Sequence, residues 1–503
     1  VQTCALPIYQ TEIDGTPFDK SLYYVYVATV GTQGVLGISY AKSAIITADT
    51  PAPQTAPLNN GVGTAFAIGG ATSAANYDYF KSISGVTIPR VAVFSSSRDD
   101  LSTVFNHFYF EDPVYDSLQN NWLDRGFQPV FIPLAIDSKD FVANHPYYAA
   151  LVKTCDVVWL QGGDQNKHAK SLLNDDGSDT EILKAIRYVY NRGGVIAGTS
   201  AGMHVMSLPS FGYGTSDIAL KTNQTEAYTI ADIPTSGDLF PLIPNNNLST
   251  PGIGIMPDNV LNDTHFDARG RLGRLVVALR DTGKTIGVAS DEGTGIAISG
   301  GVGTVNGSHG VFIVDVRNAV YGPSGSGQPF AVSGVKIHYL TDGDTYNFFT
   351  NEVRIHTGTD GSAVNSAVGT AIKTPVVEDS ALAPYKSDAI FGNYETTKTI
   401  LGLAKSLDTS VTSPVKSTQF NATFSKDLDT KAYLTDLDYV DAALGGLKKI
   451  SVVGLNFEVK YISLPFAFAS IAPGKADGSA KAYAVTVGYN SNLKVGYASS
   501  SAS

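Results

Sequence analysis

Residues 194–206, GVIAGTSAGMHVM, pass from an apolar run typical of a strand into a run typical of a helix. Between the two runs lies Gly198-Thr199-Ser200-Ala201-Gly202. In such a Gly-x-Ser-x-Gly turn, small flanking residues let the chain turn sharply and leave the serine hydroxyl exposed at the end of a strand. A plainer interpretation is a strand-to-helix turn in which Ser200 only caps the helix. The stretch therefore predicts a strand and a helix, with Ser200 as a candidate nucleophile.

The same alternation of strand and helix extends from Gly61 to about residue 350. Apolar runs that predict strands lie at 65–68, 91–94, 130–133, 157–160, 195–197 and 286–289. A helix is predicted at 181–191, where Ile182, Ile186 and Val189 share one face. This pattern is typical of a parallel sheet covered by helices, so the predicted fold class is α/β. After about residue 295 the apolar runs lose their helices and predict antiparallel strands.

The flanks of this region have a different composition. Residues 1–8, VQTCALPI, match one translated frame of a common sequencing adapter, and we interpret them as an artefact. Residues 9–50 resemble the remnant of a fibronectin III or Ig-like β-sandwich, with strands at 22–30 and 43–48 and a turn at 31–34. Residues 51–60 are predicted to be an extended linker, and 61–350 the catalytic domain. Residues 375–503 are predicted to form a separate β-rich module of unknown role.

The amino-acid composition bears on the partners, the location and the cofactors of the protein. A net charge of -11 disfavours nucleic acid, because such a chain cannot neutralise phosphates, but it is compatible with a cationic substrate. No apolar run reaches the ~18 residues that a membrane span needs. Only 16% of the residues are charged, which is common in secreted proteins, so we expect an extracellular location. With Cys4 set aside, only Cys155 remains, and no Cys/His spacing predicts a metal or another cofactor.

The loops that look functional follow predicted strands, where open α/β sheets bind their ligands. Gln161-Gly162-Gly163-Asp164-Gln165 follows one strand, and its glycines allow backbone amides to face a ligand. Ser200 follows another strand, and Ser290-Asp291-Glu292 follows a third. A serine nucleophile also needs a base, and a carboxylate that orients the base. These loops are therefore expected to meet at one edge of the sheet.

Among eight histidines, only His265 has a local argument for a role as the base. It lies in Asp263-Thr264-His265-Phe266, directly before a helix with an apolar stripe at Leu272, Leu275, Val276 and Leu279. Three arginines, Arg269, Arg271 and Arg274, flank this stripe. They predict either a solvated helix edge or a cluster of planar donors that binds substrate carboxylates.

Four motifs occur in a fixed order: Gly162-Gly163-Asp164-Gln165, Gly198-Thr199-Ser200-Ala201-Gly202, Asp263-Thr264-His265-Phe266 with the arginines that follow it, and Asp291-Glu292-Gly293-Thr294. Together they resemble the cyanophycinase family of serine peptidases, which also holds aspartyl dipeptidases. The resemblance covers about Gly61 to Phe348. It implies a class I glutamine amidotransferase-like (flavodoxin-like) fold, a parallel sheet sandwiched by helices, with serine in place of the usual cysteine nucleophile.

The resemblance also implies roles for single residues. Ser200 would attack the scissile carbonyl, His265 would act as general base and then acid, and Glu292 would orient His265. Backbone amides at Gly163 and Ala201 would form the oxyanion hole. The residues that match positions of the family's substrate pocket are Gln165, Asp263, Thr264, Arg269, Arg271 and Arg274.

The activity implied is that of an exopeptidase that cuts the poly-aspartate backbone of cyanophycin, an arginine-aspartate polymer, into β-Asp-Arg dipeptides. Thr264 stands where the family commonly has Gln, Met203 replaces a small residue, and the insertion at 207–262 is long. These departures leave open a second interpretation, in which the chain is a related aspartyl or isoaspartyl peptidase. The β-rich flanks leave open a third interpretation, in which the chain is a catalytically inactive binding module of a surface protein. The sequence also leaves open whether the chain forms a homodimer.

Overall fold

The computed structural model describes residues 12–13, 16–17, 24–31, 34–42, 50–109, 117–235, 247–324, 328–357, 373–416, 418–435, 440–441, 447–462, 483–490 and 495–502. The chain divides into two compact units, Val1–Lys460 and Tyr461–Ser503. The adapter-like residues 1–8 lie outside the described residues. Within the described ranges, no helix is long and apolar enough to cross a membrane.

The strands, in chain order, are β1 Glu12–Ile13, β2 Thr16–Pro17, β3 Tyr24–Gly31, β4 Gly34–Lys42, β5 Thr64–Ile68, β6 Arg90–Phe94, β7 Gln128–Phe131, β8 Val157–Leu160, β9 Val195–Thr199, β10 Ser210–Tyr213, β11 Thr225–Ala227, β12 Asn247–Thr250, β13 Val260–Asp263, β14 Ile286–Ser290, β15 Thr294–Ser299, β16 Val302–Gly307, β17 Gly310–Asp315, β18 Val320–Tyr321, β19 Val332–Thr341, β20 Thr345–Asn347, β21 Val353–Arg354, β22 Lys373–Pro375, β23 Ser410–Pro414, β24 Phe420–Ser425, β25 Lys431–Thr435, β26 Val440–Asp441, β27 Leu447–Lys448, β28 Ile450–Tyr461, β29 Tyr483–Asn490 and β30 Val495–Ala502.

The helices are α1 Ala74–Ile83, α2 Leu101–Tyr109, α3 Leu118–Asp124, α4 Lys139–Val142, α5 Pro146–Lys153, α6 Gln165–Leu172, α7 Glu181–Asn191, α8 Ala201–His204, α9 Ser216–Thr222, α10 Leu272–Thr282 and α11 Glu395–Lys405, with a 3-10 turn at Asn59–Gly61. The helix predicted at 181–191 is confirmed as α7, which begins after Thr180, whose side chain accepts a hydrogen bond from the Leu183 amide.

The first sheet has the order β21-β20-β16-β15-β5-β9-β8-β6-β7. Strands β5, β9, β8, β6 and β7 run parallel to one another. Strands β15, β16, β20 and β21 are antiparallel additions beside β5. The predicted α/β class is therefore confirmed, as are the antiparallel strands after residue 295.

Both faces of the parallel strands are buried, which explains their uninterrupted apolar runs. In β8, Val157 and Trp159 pack in one core cluster. Val158 and Leu160 point to the opposite face and pack in another cluster. Because both faces are covered, loops reach solvent from the carboxyl ends of the strands.

The second sheet has the order β13-β14-β17-β19-β28-β24-β23. Strands β13 and β14 are parallel and are connected through α10, whose predicted stripe Leu272, Leu275, Val276 and Leu279 is fully buried. The strand predicted at 286–289 exists as β14, but it belongs to this sheet and not to the parallel sheet of β5–β9. It pairs with β13 on one side and with β17 on the other.

The prediction of a separate module at 375–503 needs correction for its part up to Lys460. Strand β28 pairs with β19 in the second sheet, with Val335 opposite Phe457 and Ile337 opposite Leu455. These side chains are buried in the same core cluster. A shared sheet and a shared core mean that residues 373–460 complete the second layer of the α/β region.

The predicted linker at 51–60 has no helix or strand before the turn at Asn59–Gly61, and hydrogen bonds hold it to the α/β region. The Leu58 amide donates to the Arg192 carbonyl at 2.7 Å, and Arg192 Nη1 donates to the Ala56 carbonyl at 2.9 Å. The Asn59 side chain donates to the Gly193 carbonyl at 2.9 Å. This segment is therefore part of the surface of the domain.

The pairs β3–β4 and β29–β30 are two-stranded antiparallel sheets near the two ends of the chain. β3 and β4 form an antiparallel pair that runs from Tyr24 opposite Lys42 to Gly31 opposite Gly34, and residues 32–33 of the predicted turn lie outside the described residues. The second strand lies at 34–42, and the strand predicted at 43–48 falls outside the described residues. In the second unit, β29 and β30 form an antiparallel pair. The assignment of residues 9–50 to a β-sandwich stays a prediction.

Candidate active site

Ser200 lies in a strained turn between β9 and α8. Its φ of 53° and ψ of -116° fall in a region that non-glycine residues rarely adopt, and strain of this kind concentrates at functional sites. A Cβ on Gly198 would lie 2.3 Å from the Gly202 carbonyl oxygen, and one on Gly202 would lie 2.0 Å from the Leu160 carbonyl oxygen. Both glycines are thus sterically required. The Ser200 side chain makes no capping bond to α8, which favours the exposed-nucleophile interpretation over the simple cap.

A continuous hydrogen-bonded chain joins Ser200, His265 and Glu292. Ser200 Oγ lies 2.7 Å from His265 Nε2. His265 Nδ1 lies 2.9 Å from Glu292 Oε1, so Nδ1–H donates to the carboxylate and Nε2 is the acceptor for the serine proton. The three side chains follow β9, β13 and β14, which brings together residues that are 65 and 27 positions apart.

His265 is fixed by glycines that follow β5. Its backbone is left-handed, with φ of 43°, and its amide donates to the Gly69 carbonyl at 2.8 Å. Gly70 has φ of 132°, and a Cβ there would lie 2.1 Å from His265 Cε1. A side chain at residue 70 would therefore occupy the place of the imidazole. Sequence reasoning missed Gly70, although Gly69-Gly70 directly follows a predicted strand.

The electrostatic surroundings keep the His265 imidazole neutral. Burial lowers the pKa of His265, and the hydrogen bond that its Nδ1–H donates to Glu292 acts in the opposite direction. The charges of Arg269 and Arg271 lower this pKa further. A neutral imidazole at physiological pH can accept the serine proton.

The predicted oxyanion-hole residues lie on both sides of Ser200. A Cβ on Gly162 would lie 3.4 Å from Ser200 Cβ, so the 162–163 turn borders the nucleophile. Ser97 Oγ donates to the Gly162 carbonyl at 2.7 Å and holds this turn. Neither the Gly163 amide nor the Ala201 amide donates a hydrogen bond to any described residue. Both amides are therefore available to a ligand oxygen, and Ser97 is a supporting residue that the sequence did not reveal.

Asp263 lies at the centre of a buried ion-pair network. Arg274 donates to it through Nε at 2.8 Å and through Nη2 at 2.5 Å. His204 Nε2 lies 2.9 Å from Asp263 Oδ1. Burial alone would raise the pKa of Asp263, but Arg274 and the other donors hold it well below its usual range. Asp263 has no exposed surface and anchors the arginines, and its role as a substrate contact stays a prediction.

Several other predicted pocket residues are engaged with the protein itself. Gln165 Nε2 donates to the carbonyls of Phe211 and Gly212 at 2.9 and 2.8 Å. Arg274 is 3% exposed and also donates to the Gly214 carbonyl. Thr264 is 1% exposed, and its hydroxyl lies 3.2 Å from Arg271 Nη1. These side chains shape the region around His265 from inside the protein.

Of the three predicted arginines, Arg269 and Arg271 are less buried than Arg274. The Arg269 side chain is exposed and makes no ion pair with any described residue. Arg271 Nη1 donates to the Thr264 carbonyl at 2.7 Å and lies 3.4 Å from Asp263 Oδ1. Burial and the neighbouring Arg274 lower the pKa of Arg271 to about 9. The excess of cationic charge beside the nucleophile suits a substrate that carries a carboxylate.

His204 is a third residue, after Gly70 and Ser97, that the sequence did not single out as functional. It is 4% exposed, and its ring nitrogen also lies 3.3 Å from the Thr264 hydroxyl. Burial lowers the pKa of His204 to about 4, so the ring is neutral at physiological pH. Its spacing of four residues from Ser200, one helical turn, was the available signal.

Comparison with known proteins finds relatives of part of the chain. No protein-family model matches the chain. Cyanophycinases of Synechococcus elongatus and Thermosynechococcus vestitus are each 30% identical over 229 residues, which is 44% of this chain and 62% of theirs. The chain contains a cyanophycinase-like region. The cyanophycinase of Trichormus variabilis is 30% identical over 204 residues, 39% of this chain and 59% of its own length.

The resemblance predicted from the motifs is therefore confirmed. The chain spans about three-fifths of the length of the cyanophycinases it matches. Two solved structures are also similar. A peptidase from an acI-B1 actinobacterium has a TM-score of 0.38 and 20% identity, over 57% of this chain and 97% of that one. A putative peptidase E from Listeria monocytogenes has a TM-score of 0.29 and 13% identity, over 49% of this chain and 99% of that one.

Proposed function

We propose that the chain is a serine-type peptidase with Ser200 as nucleophile, His265 as general base and acid, and Glu292 as the carboxylate that orients His265. The observation that carries this proposal is the unbroken chain of 2.7 Å and 2.9 Å contacts between the three side chains. Serine, base and orienting acid within hydrogen-bond reach are what nucleophilic catalysis by serine requires.

In the proposed reaction, Ser200 Oγ attacks the scissile carbonyl carbon while His265 Nε2 takes the hydroxyl proton. The carbonyl oxygen becomes an oxyanion, and the Gly163 and Ala201 amides donate to it. Collapse of this intermediate breaks the C–N bond, and His265 gives its proton to the leaving amine. Water, activated by the same imidazole, then hydrolyses the acyl-Ser200 ester.

The proposed substrate is cyanophycin, whose poly-aspartate backbone would be cut to β-Asp-Arg dipeptides. The similarity to cyanophycinases supports this choice. Arg269 and Arg271 beside His265 suit a free carboxylate of the substrate, and the net charge of -11 suits its many guanidinium groups. The extracellular location and the absence of a nucleic-acid partner stay predictions from composition.

We further propose that the fold is class I glutamine amidotransferase-like. The supporting observations are the parallel order β5-β9-β8-β6-β7 and the nucleophile in the sharp turn after β9. Helices cover both faces of these strands, as that fold class requires. The serine at position 200 distinguishes this chain from amidotransferases, which use cysteine there.

A related aspartyl or isoaspartyl peptidase is the second candidate. The specific observation in its favour is that Thr264, where cyanophycinases commonly have Gln, is buried against His204 and Arg271. Thr is shorter than Gln, and Thr264 is hydrogen-bonded inside the protein. The surface offered to the substrate at this position therefore differs from that of a cyanophycinase with Gln. The intact Ser200–His265–Glu292 chain disfavours an inactive binding module.

One assay tests the proposed function. The parent protein, Ser200→Ala and the control Ser299→Ala are incubated with cyanophycin and, separately, with isoaspartyl dipeptides. We expect the parent and Ser299→Ala to release β-Asp-Arg, because Ser299 lies at the far end of β15. Ser200→Ala should be inactive. Release by Ser200→Ala at the parent rate would contradict the mechanism, and turnover of isoaspartyl dipeptides alone would favour the second candidate.

A further inference from the structure

The loop that carries His265 is held on one side by a helix from the C-terminal part of the region. We define the His265 loop as residues 264–271. Within it, the Asp267 carboxylate accepts a hydrogen bond from the Thr397 amide at 2.6 Å, and the Asp267 carbonyl accepts one from the Tyr394 amide at 2.9 Å. Thr397 lies in the first turn of α11. Asp267 therefore caps a helix that is 130 residues away in sequence.

The fit between the loop and the segment before α11 is tight. Gly270 has φ of 59°, and a Cβ there would lie 1.9 Å from the Phe391 carbonyl oxygen. The side chains of Thr396 and Thr397 are fully buried at this contact. The loop thus has no room to shift towards α11, and it can shift away only by breaking the bonds of Asp267.

Asp291, the neighbour of Glu292, holds the same loop through a second hydrogen bond. Asp291 Oδ1 accepts a hydrogen bond from the Ala268 amide at 3.2 Å. Asp267 is 1% exposed and Asp291 is not exposed at all. Burial raises the pKa of Asp267 to about 6 and that of Asp291 well above its ordinary value, and the charge of Asp267 adds to the shift of Asp291. Carboxylates buried this deeply are retained only where specific bonds offset their desolvation.

The backbone of the loop transmits the position of Asp267 to the functional residues. The Arg269 amide donates to the His265 carbonyl at 3.0 Å, and the Gly270 amide donates to the Asp267 carbonyl at 3.1 Å. Asp267 lies two residues after His265 and two before Arg269. A displaced Asp267 would consequently move the base and the nearest cationic side chain together.

We propose that Asp267 is a positioning residue that fixes the His265 loop by binding the first turn of α11, so that α11 supports catalysis at Ser200 without contacting the substrate. This inference rests on the proposed serine-peptidase mechanism. It gives a role to residues 391–397, which lie beyond the sequence motifs of the catalytic region. Asp267 acts through His265, since no bond joins the described side chain of Asp267 to Ser200.

The test measures how fast a fluorophosphonate probe labels Ser200 in full-length variants. Labelling needs His265 in place, because the serine proton must leave as Ser200 Oγ bonds to phosphorus and fluoride departs. The variants are Asp267→Ala, which loses both carboxylate oxygens, and Asp267→Asn, whose amide oxygen can still accept from the Thr397 amide. The control is Asp379→Ala, an exposed carboxylate that accepts a backbone amide in the same C-terminal segment. A further variant, Thr397→Pro, leaves Asp267 in place but removes the amide and the hydroxyl of Thr397 that hydrogen-bond to it, and it decides the question if Asp267→Ala does not fold.

We expect Asp267→Ala and Thr397→Pro to be labelled at least about tenfold more slowly than the parent, because small displacements of a catalytic base have large effects on rate. Asp267→Asn should recover most of the rate, and Asp379→Ala should match the parent. With cyanophycin, the loss should appear in kcat more than in KM. Parent-like labelling of Asp267→Ala, or of Thr397→Pro, would overturn the positioning role. Absence of labelling at Ser200 in the parent would instead refute the serine mechanism.

Discussion

Gly70 lies directly against the imidazole of His265: a Cβ on Gly70 would be 2.1 Å from Cε1 and 2.6 Å from Nε2. Nε2 is the atom that contacts Ser200 Oγ at 2.7 Å. The turn after β5 therefore forms the wall against which the proposed general base is placed. The length of the Ser200–His265 contact depends on the absence of a side chain at residue 70.

The first prediction concerns this wall. Gly70→Ala should displace the imidazole from Ser200 and lower kcat/KM by on the order of 100-fold, as expected for a misplacement of about 1 Å. The matched control is Gly177→Ala, because Gly177 also has a positive φ of 83° but has no atom within 4 Å of its Cβ position. Steady-state kinetics of both variants check the prediction. Equal activity of the two variants would show that the wall does not position His265.

The second prediction concerns Glu292 and pH. Glu292 raises the pKa of His265 through its hydrogen bond, against the lowering by burial. Glu292→Gln should therefore move the acidic limb of the kcat/KM profile to lower pH. It should also reduce the plateau by on the order of 10²- to 10⁴-fold, because the imidazolium loses its orienting carboxylate. A profile that keeps its acidic limb, or one that moves it to higher pH, would contradict the assignment of Glu292.

The third prediction separates Asp263 from the arginines that it holds. Asp263→Asn leaves Arg274 and Arg271 buried without their counter-charge and should lower the free energy of unfolding by about 3–5 kcal/mol. Since the folded-state pKa of Asp263 is depressed, its contribution is present above the unfolded pKa and is lost as pH falls below it. Chemical denaturation at pH 7 and at acidic pH measures this. A variant as stable as the parent at pH 7 would refute the anchoring role.

The fourth prediction concerns substrate binding by Arg271. Arg271→Gln should raise KM for cyanophycin more than it lowers kcat, because the guanidinium is expected to bind a carboxylate that does not react. Arg280→Gln on the same helix is the control, since Arg280 pairs with Asp281 and Asn223 away from His265. Steady-state kinetics with cyanophycin provide both constants. An unchanged KM in Arg271→Gln would remove Arg271 from the substrate site.

The fifth prediction concerns the buried carboxylates Asp267 and Asp291. Both have raised pKa values, so the folded state favours their protonated forms. Their contribution to stability is therefore largest at low pH and is lost as pH rises, for Asp267 between its ordinary value of 3.8 and about 6. Asp291→Asn, a neutral isostere, should weaken this pH dependence and should be at least as stable as the parent at pH 8. A lower stability at pH 8, measured by denaturant unfolding, would contradict the account.

The sequence indicates the loops of Ser200 and Glu292 because each follows an apolar run that predicts a strand, and it selects His265 by the acidic and basic residues around it. It does not predict which sheet a strand joins. β14 was expected in the parallel sheet, yet its pairing with β17 places it in the second one. Apolar runs of similar length look alike in both settings, since both kinds of strand are buried on two faces.

Contacts between segments that are distant in sequence were also beyond prediction. The ring of His204 meets Asp263 across 59 residues, and Asp267 meets Thr397 across 130. Each partner alone looks like an ordinary helix residue or a capping residue. In the same way, only the folded chain shows that Arg274 binds the carboxylate of Asp263.

The proposed function depends on acylation of the Ser200 hydroxyl by the substrate. The most direct measurement is the mass of the peptide that contains Ser200 after the parent protein and cyanophycin are mixed and rapidly quenched with acid. The proposed acyl-enzyme mechanism predicts an aspartyl-containing adduct on Ser200 in the parent, and no adduct in Ser200→Ala. Release of β-Asp-Arg by Ser200→Ala at the parent rate, or an adduct on a different residue, would contradict it.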